Sequence, residues 1–359
     1  MAYTSQTQAE ADRNGSFFRC CIYALMSLFL MLMAMGLAGY WLYRNFDSFN
    51  IPYHDSPPPE MAKLTLPEAK QGFETTLVKK VREEDLDPPL PPDESRLRRV
   101  FYISPAGRMH AYLSKRPGDG KKHPCIIWIT GGFSNSLDPV WEKAPAENDQ
   151  TAAVYREKGI LTMYPSFRGG LGNPGHKEIM CGEVDDVLAA LRYVQSLDYV
   201  DPARIYLGGH STGGTLALLV AASTPDFRAV FAFGPVATDY GPDYRYYDTS
   251  ITKEAAVRTP LYWLRGIRSP TFVIEGEEGN TAPLRTLRSV ATAGKFDNLH
   301  FIEVAGADHF NVLGPANAIL AMRILQDKDE GAKSNITFDE KDVEHLQSVI
   351  QKAKDNKPF

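Results

Sequence analysis

The stretch Arg204-Ile205-Tyr206-Leu207-Gly208-Gly209-His210-Ser211-Thr212-Gly213-Gly214, residues 204–214, decides the fold. Its first residues, Arg204–Leu207, read as a short apolar strand. Thr212–Ala222 reads as a helix. Between them Gly209, Ser211 and Gly213 satisfy G-x-S-x-G, in the strand-before, helix-after context that this pattern requires. A serine on so sharp a turn needs small neighbours. Its hydroxyl then projects above the sheet, and the helix N-terminus beneath it favours developing negative charge. Ser211 is the candidate nucleophile.

The pattern continues on both sides. Val100–Ile103 and Met109–Leu113 read as paired strands of a meander. Cys125–Ile129, Ile160–Tyr164, Ile205–Leu207, Ala229–Phe233, Thr271–Ile274 and Phe301–Val304 read as further strands. Val184–Leu197, Thr212–Ala222, Leu284–Thr292 and Ala316–Leu325 carry apolar residues at helical spacing, and Glu183, Asp185 and Asp186 suit the positive end of the first of these. Strands alternating with helices predict a mostly parallel sheet with helices on both faces.

A serine hydroxyl is a poor nucleophile without a base. His309, in Gly306-Ala307-Asp308-His309-Phe310 just after the last strand, stands where the triad histidine of such a fold belongs, after the serine and the acid in chain order. His110, His123, His176 and His300 fall in the meander, in polar loops or at a strand start; His210 belongs to the elbow itself. An oxyanion hole needs two N–H donors. Thr212, following the nucleophile, supplies one; Phe133, in the loop after the Cys125–Ile129 strand, is the candidate for the other.

Over about residues 98–327 the order of motifs resembles the catalytic domain of the prolyl oligopeptidase (S9) family of the α/β-hydrolase superfamily. The matching pieces are Trp128-Ile129-Thr130-Gly131-Gly132, Pro165-Ser166-Phe167-Arg168-Gly169-Gly170, Gly182-Glu183-Val184-Asp185-Asp186-Val187, the Ser211 elbow, Gly234-Pro235-Val236 and Gly306-Ala307-Asp308-His309. The resemblance implies an α/β-hydrolase fold and a serine hydrolase, peptidase or carboxylesterase, acting without cofactor or metal. One position departs. The family's acid follows the strand here at Thr271–Ile274 in a pattern like H-G-x-x-D, but this chain reads Glu275-Gly276-Glu277-Glu278-Gly279-Asn280, with Gly279 in the aspartate's place. Glu278, one residue early and one methylene longer, is the leading candidate. Glu275 is the alternative, Glu277 and Asn280 lie further behind, and loss of the acid is a further reading.

Upstream, residues 20–43 (CCIYALMSLFLMLMAMGLAGYWLY) hold no charge and are long enough to cross a bilayer. Tyr40, Trp41 and Tyr43 suit an interface, and Arg13 and Arg19 bias the N-terminus inward. The expected organisation is a polar tail over 1–19, a transmembrane signal-anchor over 20–43, a proline-rich linker over 44–95, the catalytic domain over 96–327 and a tail with a surface amphipathic helix over 328–359. A cleaved leader is the rival for 20–43, disfavoured by length. The catalytic domain is then expected outside the cytoplasm, on a single-pass membrane protein.

A net charge of −5 over 359 residues and the lack of a long basic block argue against nucleic-acid binding. Four cysteines without zinc-ligand spacing argue against a disulfide scaffold or metal centre. About 50 linker residues cannot build the β-propeller of the family's large peptidases, which points to a small ester or short peptide as substrate. The aromatic stretch 234–270, with Tyr240, Tyr244, Tyr246, Tyr247, Tyr262 and Trp263, lies where open α/β sheets bind ligands. A membrane-tethered, catalytically inactive binding module is the competing reading, motivated by Gly279.

Overall fold

The computed structural model describes residues 57–142, 144–327 and 334–355. The expected tail over 1–19 and anchor over 20–43 lie outside the described residues. Among those described, no helix is long and apolar enough to cross a membrane.

One eight-stranded sheet organises the chain. Its strands are β1 Leu97–Ser104, β2 Gly107–Ser114, β3 His123–Ile129, β4 Leu161–Pro165, β5 Val200–His210, β6 Val230–Phe233, β7 Thr271–Gly276 and β8 Leu299–Val304. Their spatial order is β1-β2-β4-β3-β5-β6-β7-β8. The β1–β2 and β2–β4 pairs are antiparallel and the others parallel. The helices are α1 Leu66–Lys70, α2 Ala153–Glu157, α3 Gly182–Gln195, α4 Thr212–Ala221, α5 Thr252–Val257, α6 Thr281–Gly294, α7 Leu313–Gln326 and α8 Glu340–Asp355.

Side chains alternate across a strand with period two, and here both faces are apolar. Ile127, Leu207, Val230 and Val273 point into one core layer with α3, α4 and α6. Ile126, Trp128, Tyr206, Phe231 and Phe272 point into the other with α2, α7 and α8. That explains why the central strands read as unbroken apolar runs: parallel strands covered on both faces have no solvent side to mark. Cys125 and Cys181 are buried free thiols, so no disulfide joins them, and burial pushes the Cys125 thiol up to about 12.

The linker reading needs correction over residues 57–95. This segment is a strap docked on the domain. The helix expected within Leu66–Val81 shortens to α1, which starts with a Thr65/Glu68 capping box and buries Leu66 and Ala69 in the core. Beyond it, proline density prevents regular structure, and an extended chain has no internal partners for its backbone groups. They pair with the domain instead. Val78 and Lys79 N–H donate to the Tyr246 carbonyl, Lys177 N–H to Val81, and Gly172 N–H to Glu84. At the other end, α8 buries Leu346 and Ile350, and Arg323 holds Asp342 at 2.7 Å.

Candidate active site

Strand β5 runs to His210 and α4 begins at Thr212, so Ser211 alone makes the turn. Its φ of 55° and ψ of −114° are unusual for a residue with a side chain. Such strain persists only where the surroundings over-determine it. Ser211 N–H donates to the Phe233 carbonyl at 2.7 Å, and the Ser211 carbonyl accepts from Thr215 N–H at 2.9 Å.

His309 follows β8. The Asp308 carboxylate accepts from Phe310 and Asn311 N–H, both at 2.8 Å, and Asp308 N–H donates to Asn311 Oδ1 at 2.9 Å. This small lock sets the direction of the histidine between them. His309 Nδ1 lies 2.9 Å from Glu275 Oε2. A carboxylate only accepts, so the proton sits on Nδ1 and Nε2 keeps its lone pair. Gly234, next to the Phe233 carbonyl that holds Ser211, lies under both side chains. A Cβ there would stand 2.3 Å from His309 Cε1 and 2.8 Å from Glu275 Oε2. The Ser211 turn, His309 and Glu275 thus meet over one glycine with φ of +54°. No direct hydrogen bond joins Ser211 Oγ to His309 among the described residues; such contacts commonly tighten only once substrate is bound.

The expected acid, Glu278, makes no hydrogen bond or ion pair with His309 among the described residues. Its exposed side chain pairs with Lys354 of α8, 3.1 Å from each carboxylate oxygen. Glu275, the alternative, is fully buried at the end of β7, and its Oε1 accepts from Gly276 N–H at 2.8 Å. Gly279 explains the departure from the family pattern. A Cβ at 279 would lie 2.5 Å from Glu275 Oε1 and 2.9 Å from His309 N. The longer side chain of Glu275 fills the space a side chain at 279 would occupy. Glu277 turns elsewhere, toward Gly306 N–H at 3.4 Å.

The Gly131–Phe133 loop lies against the elbow. Thr212 Oγ1 donates to the Gly132 carbonyl, and a Cβ on Gly131 would meet His210 Nδ1 at 2.9 Å. The Phe133 and Thr212 N–H groups donate to no protein acceptor among the described residues. The Phe133 ring stacks on Tyr244, centroids 3.6 Å apart, and meets Tyr240 edge-on at 4.9 Å. Tyr240 is anchored by its hydroxyl to Thr215 Oγ1 at 2.8 Å. Arg168 is structural: it grips Asp186 with Nε and Nη2, each at 3.0 Å, and also contacts Glu178.

Sequence reading missed Gln150, which lies in a polar loop with no distinguishing pattern. Its Oε1 accepts from Gly131 N–H at 2.9 Å and lies 3.2 Å from His210 Nδ1, while His210 Nε2 lies 3.0 Å from the His309 carbonyl. Gln150 and His210 therefore sit between the Gly131–Phe133 loop and the His309 loop; a neutral imidazole has one N–H, so His210 donates to only one of these two oxygens. Burial first, and then the neighbouring His309, pull His210 down to about 3. The folded value is below the unfolded one, so the unfolded chain binds the proton more readily. The stability that His210 contributes is complete above about 6.5 and is lost as pH falls toward about 3. His210→Gln is expected to show a smaller drop in Tm between pH 7 and pH 5 than the unsubstituted protein. Equal drops would contradict this.

Comparison with known proteins agrees with this fold. A model of the prolyl oligopeptidase family matches residues 147–261, which include Ser211. An uncharacterized peptidase, YtmA, of Bacillus subtilis is 23% identical over 226 residues, 59% of this chain and 84% of that protein. A prolyl endopeptidase of Elizabethkingia meningoseptica is 30% identical over 150 residues, 39% of this chain but only 20% of the endopeptidase. Among solved structures, a puromycin-hydrolyzing peptidase of Mycobacterium tuberculosis superposes with a TM-score of 0.51 at 19% identity, covering 66% of this chain and 40% of that one. The acylaminoacyl peptidase of Pyrococcus horikoshii gives 0.53 at 16% identity, covering 69% and 44%. The chain spans less than half the length of both solved structures and a fifth of the endopeptidase. With this fold, this elbow and these relatives, the chain carries a prolyl oligopeptidase-like (S9-like) α/β-hydrolase domain and is a serine hydrolase.

Proposed function

We propose that the domain cleaves an ester or a peptide/amide bond through an acyl-serine intermediate. The observation that carries this reading is the 2.9 Å contact of His309 Nδ1 with buried Glu275, above the glycine that also adjoins the serine turn. His309 Nε2 takes the Ser211 proton as Oγ attacks the carbonyl carbon. The Thr212 and Phe133 N–H groups receive the oxyanion, and the imidazolium formed is held by Glu275. His309 then protonates the leaving group. Water, deprotonated by the same nitrogen, attacks the acyl-serine, and collapse of the second intermediate frees the acid and regenerates Ser211. The binding-module alternative drew on the missing aspartate at 279; a carboxylate on His309 from Glu275 removes that motive.

The substrate reading is a small ester or short peptide. The names of the peptidase relatives support the peptide side. The Phe133–Tyr240–Tyr244 rings support a flat apolar group on the acyl side. A panel of activated esters and aminoacyl arylamides with matched acyl groups tests it. Faster turnover of aromatic and large apolar acyl groups is expected; preference for charged or very small ones would contradict it. For location, we infer an uncleaved tether over 20–43 with the domain outside the cytoplasm, supported by the 24-residue uncharged run. Protease added to intact cells or spheroplasts should reach the domain, and protection of the domain with an exposed N-terminus would reverse the orientation.

A further inference from the structure

The turn that presents Phe133 is held from the strap, outside the hydrolase sheet. Glu83 is fixed by its own backbone, whose N–H donates to the Gly169 carbonyl at 2.7 Å. Its carboxylate then grips the turn after Phe133. Oε1 accepts from Ser134 Oγ at 3.1 Å and Asn135 N–H at 3.3 Å, and Oε2 accepts from Ser136 Oγ. Lys177 Nζ closes the arrangement, 2.6 Å from Glu83 Oε1 and 3.0 Å from the Phe133 carbonyl, to which it donates. The Phe133–Ser134 peptide is thereby held through its carbonyl, while the residues after it are held through side chains and an N–H. The Glu83 and Lys177 side chains are 28% and 10% exposed, so the pair is shielded from the screening that makes surface ion pairs weak. Despite partial burial, the Lys177 and Ser136 contacts hold the Glu83 carboxyl below its ordinary value.

The same strap reaches the other wall of the site. Leu77 pairs with Tyr247, and Val78 and Lys79 N–H donate to the Tyr246 carbonyl, two residues from the ring that stacks on Phe133.

We propose that Glu83 is a positioning residue, which through Ser134, Asn135, Ser136 and Lys177 sets the Phe133 N–H for the oxyanion formed at Ser211. The proposal rests on the acyl-serine reading. An oxyanion donor acts on charge that develops in the transition state, so misplacing it lowers kcat and leaves KM nearly unchanged. Removing one such donor costs about 10²–10³ in kcat, and a misplacement of about 1 Å can cost 10². Glu83→Gln keeps the shape but loses the negative charge that pairs with Lys177 and presents an amide NH₂ where one of two acceptors is needed.

The experiment measures kcat and KM on one activated ester, with active sites counted by fluorophosphonate titration so that misfolded molecules do not enter kcat. A peptidyl boronic acid, which forms a tetrahedral adduct, supplies a second readout. Glu83→Gln should lower kcat per titrated site by about 10-fold and weaken the boronate in parallel, with KM within about 2-fold. Lys177→Met, which disturbs the same turn from its other partner, should give the same split. A purely structural role would lower Tm and leave kcat per titrated site unchanged. Unchanged kcat in both variants, or a rise in KM alone, overturns the inference. A wild-type protein that neither labels nor turns over overturns the hydrolase reading and this inference together.

Discussion

Ser211→Ala is expected to lower kcat by about 10⁶-fold on an activated ester, the scale on which removing the nucleophile of a serine triad acts. The remaining rate, about 10³–10⁴ over the uncatalysed one, would come from substrate binding and the two oxyanion donors alone. The fold should survive. Ser211 is only half-buried, and the residue's backbone holds the turn through Phe233 and Thr215. Alanine at a φ of 55° keeps the same strain that serine bears there. Steady-state kinetics at saturating ester check the rate, and the Tm checks the fold. Retention of more than a few per cent of wild-type kcat would remove Ser211 from the mechanism.

Glu275→Gln is expected to lower kcat by about 10²–10⁴-fold, with KM little changed. The carboxylate has two oxygens and two N–H donors to satisfy, His309 Nδ1–H at 2.9 Å and Gly276 N–H at 2.8 Å. Glutamine has one oxygen. If that oxygen stays with Gly276, its NH₂ faces Nδ1 and forces the tautomer whose Nε2 carries a proton and cannot act as base. If it stays with His309, a buried N–H loses its partner at a cost of about 1–3 kcal/mol. Either way the positive imidazolium loses its fully buried counter-charge. Glu278→Gln should be close to neutral, because that side chain is exposed and its pairing with Lys354 is worth about 0–1 kcal/mol. Parallel kcat and KM measurements decide between them. A crippled Glu278→Gln beside a normal Glu275→Gln would contradict the geometry.

The Glu275–His309 contact shows where sequence reading stops. The eight strands and the serine elbow could be read from apolar runs and glycines, because a sheet buried on both faces leaves a simple pattern. His309 stood out because it follows the last strand. Glu275 did not, because a carboxylate at the end of an apolar strand looks like the first polar residue of a loop. Only the sheet registers Glu275 beside Glu303 and turns it under the histidine loop. Gly279 read as a lost acid; in space it is the clearance that lets Glu275 reach. The strap misled for a related reason. Its prolines correctly signal the lack of long helix or strand, but docking depends on backbone groups of Tyr246, Gly169 and Lys177, which lie far away in sequence. Glu83 and Gln150 carry no local signature, since their meaning comes entirely from what they touch.

The central claim, that Ser211, His309 and Glu275 act as one unit, is tested most directly by fluorophosphonate labelling with the adduct located by peptide mass mapping. The wild-type protein should take up one equivalent, on the peptide containing Ser211. Glu275→Gln should label at the same residue but about 10²-fold or more slowly, and Glu278→Gln at the wild-type rate. An adduct on another residue, or a Glu275→Gln variant that labels as fast as wild type, would contradict the account.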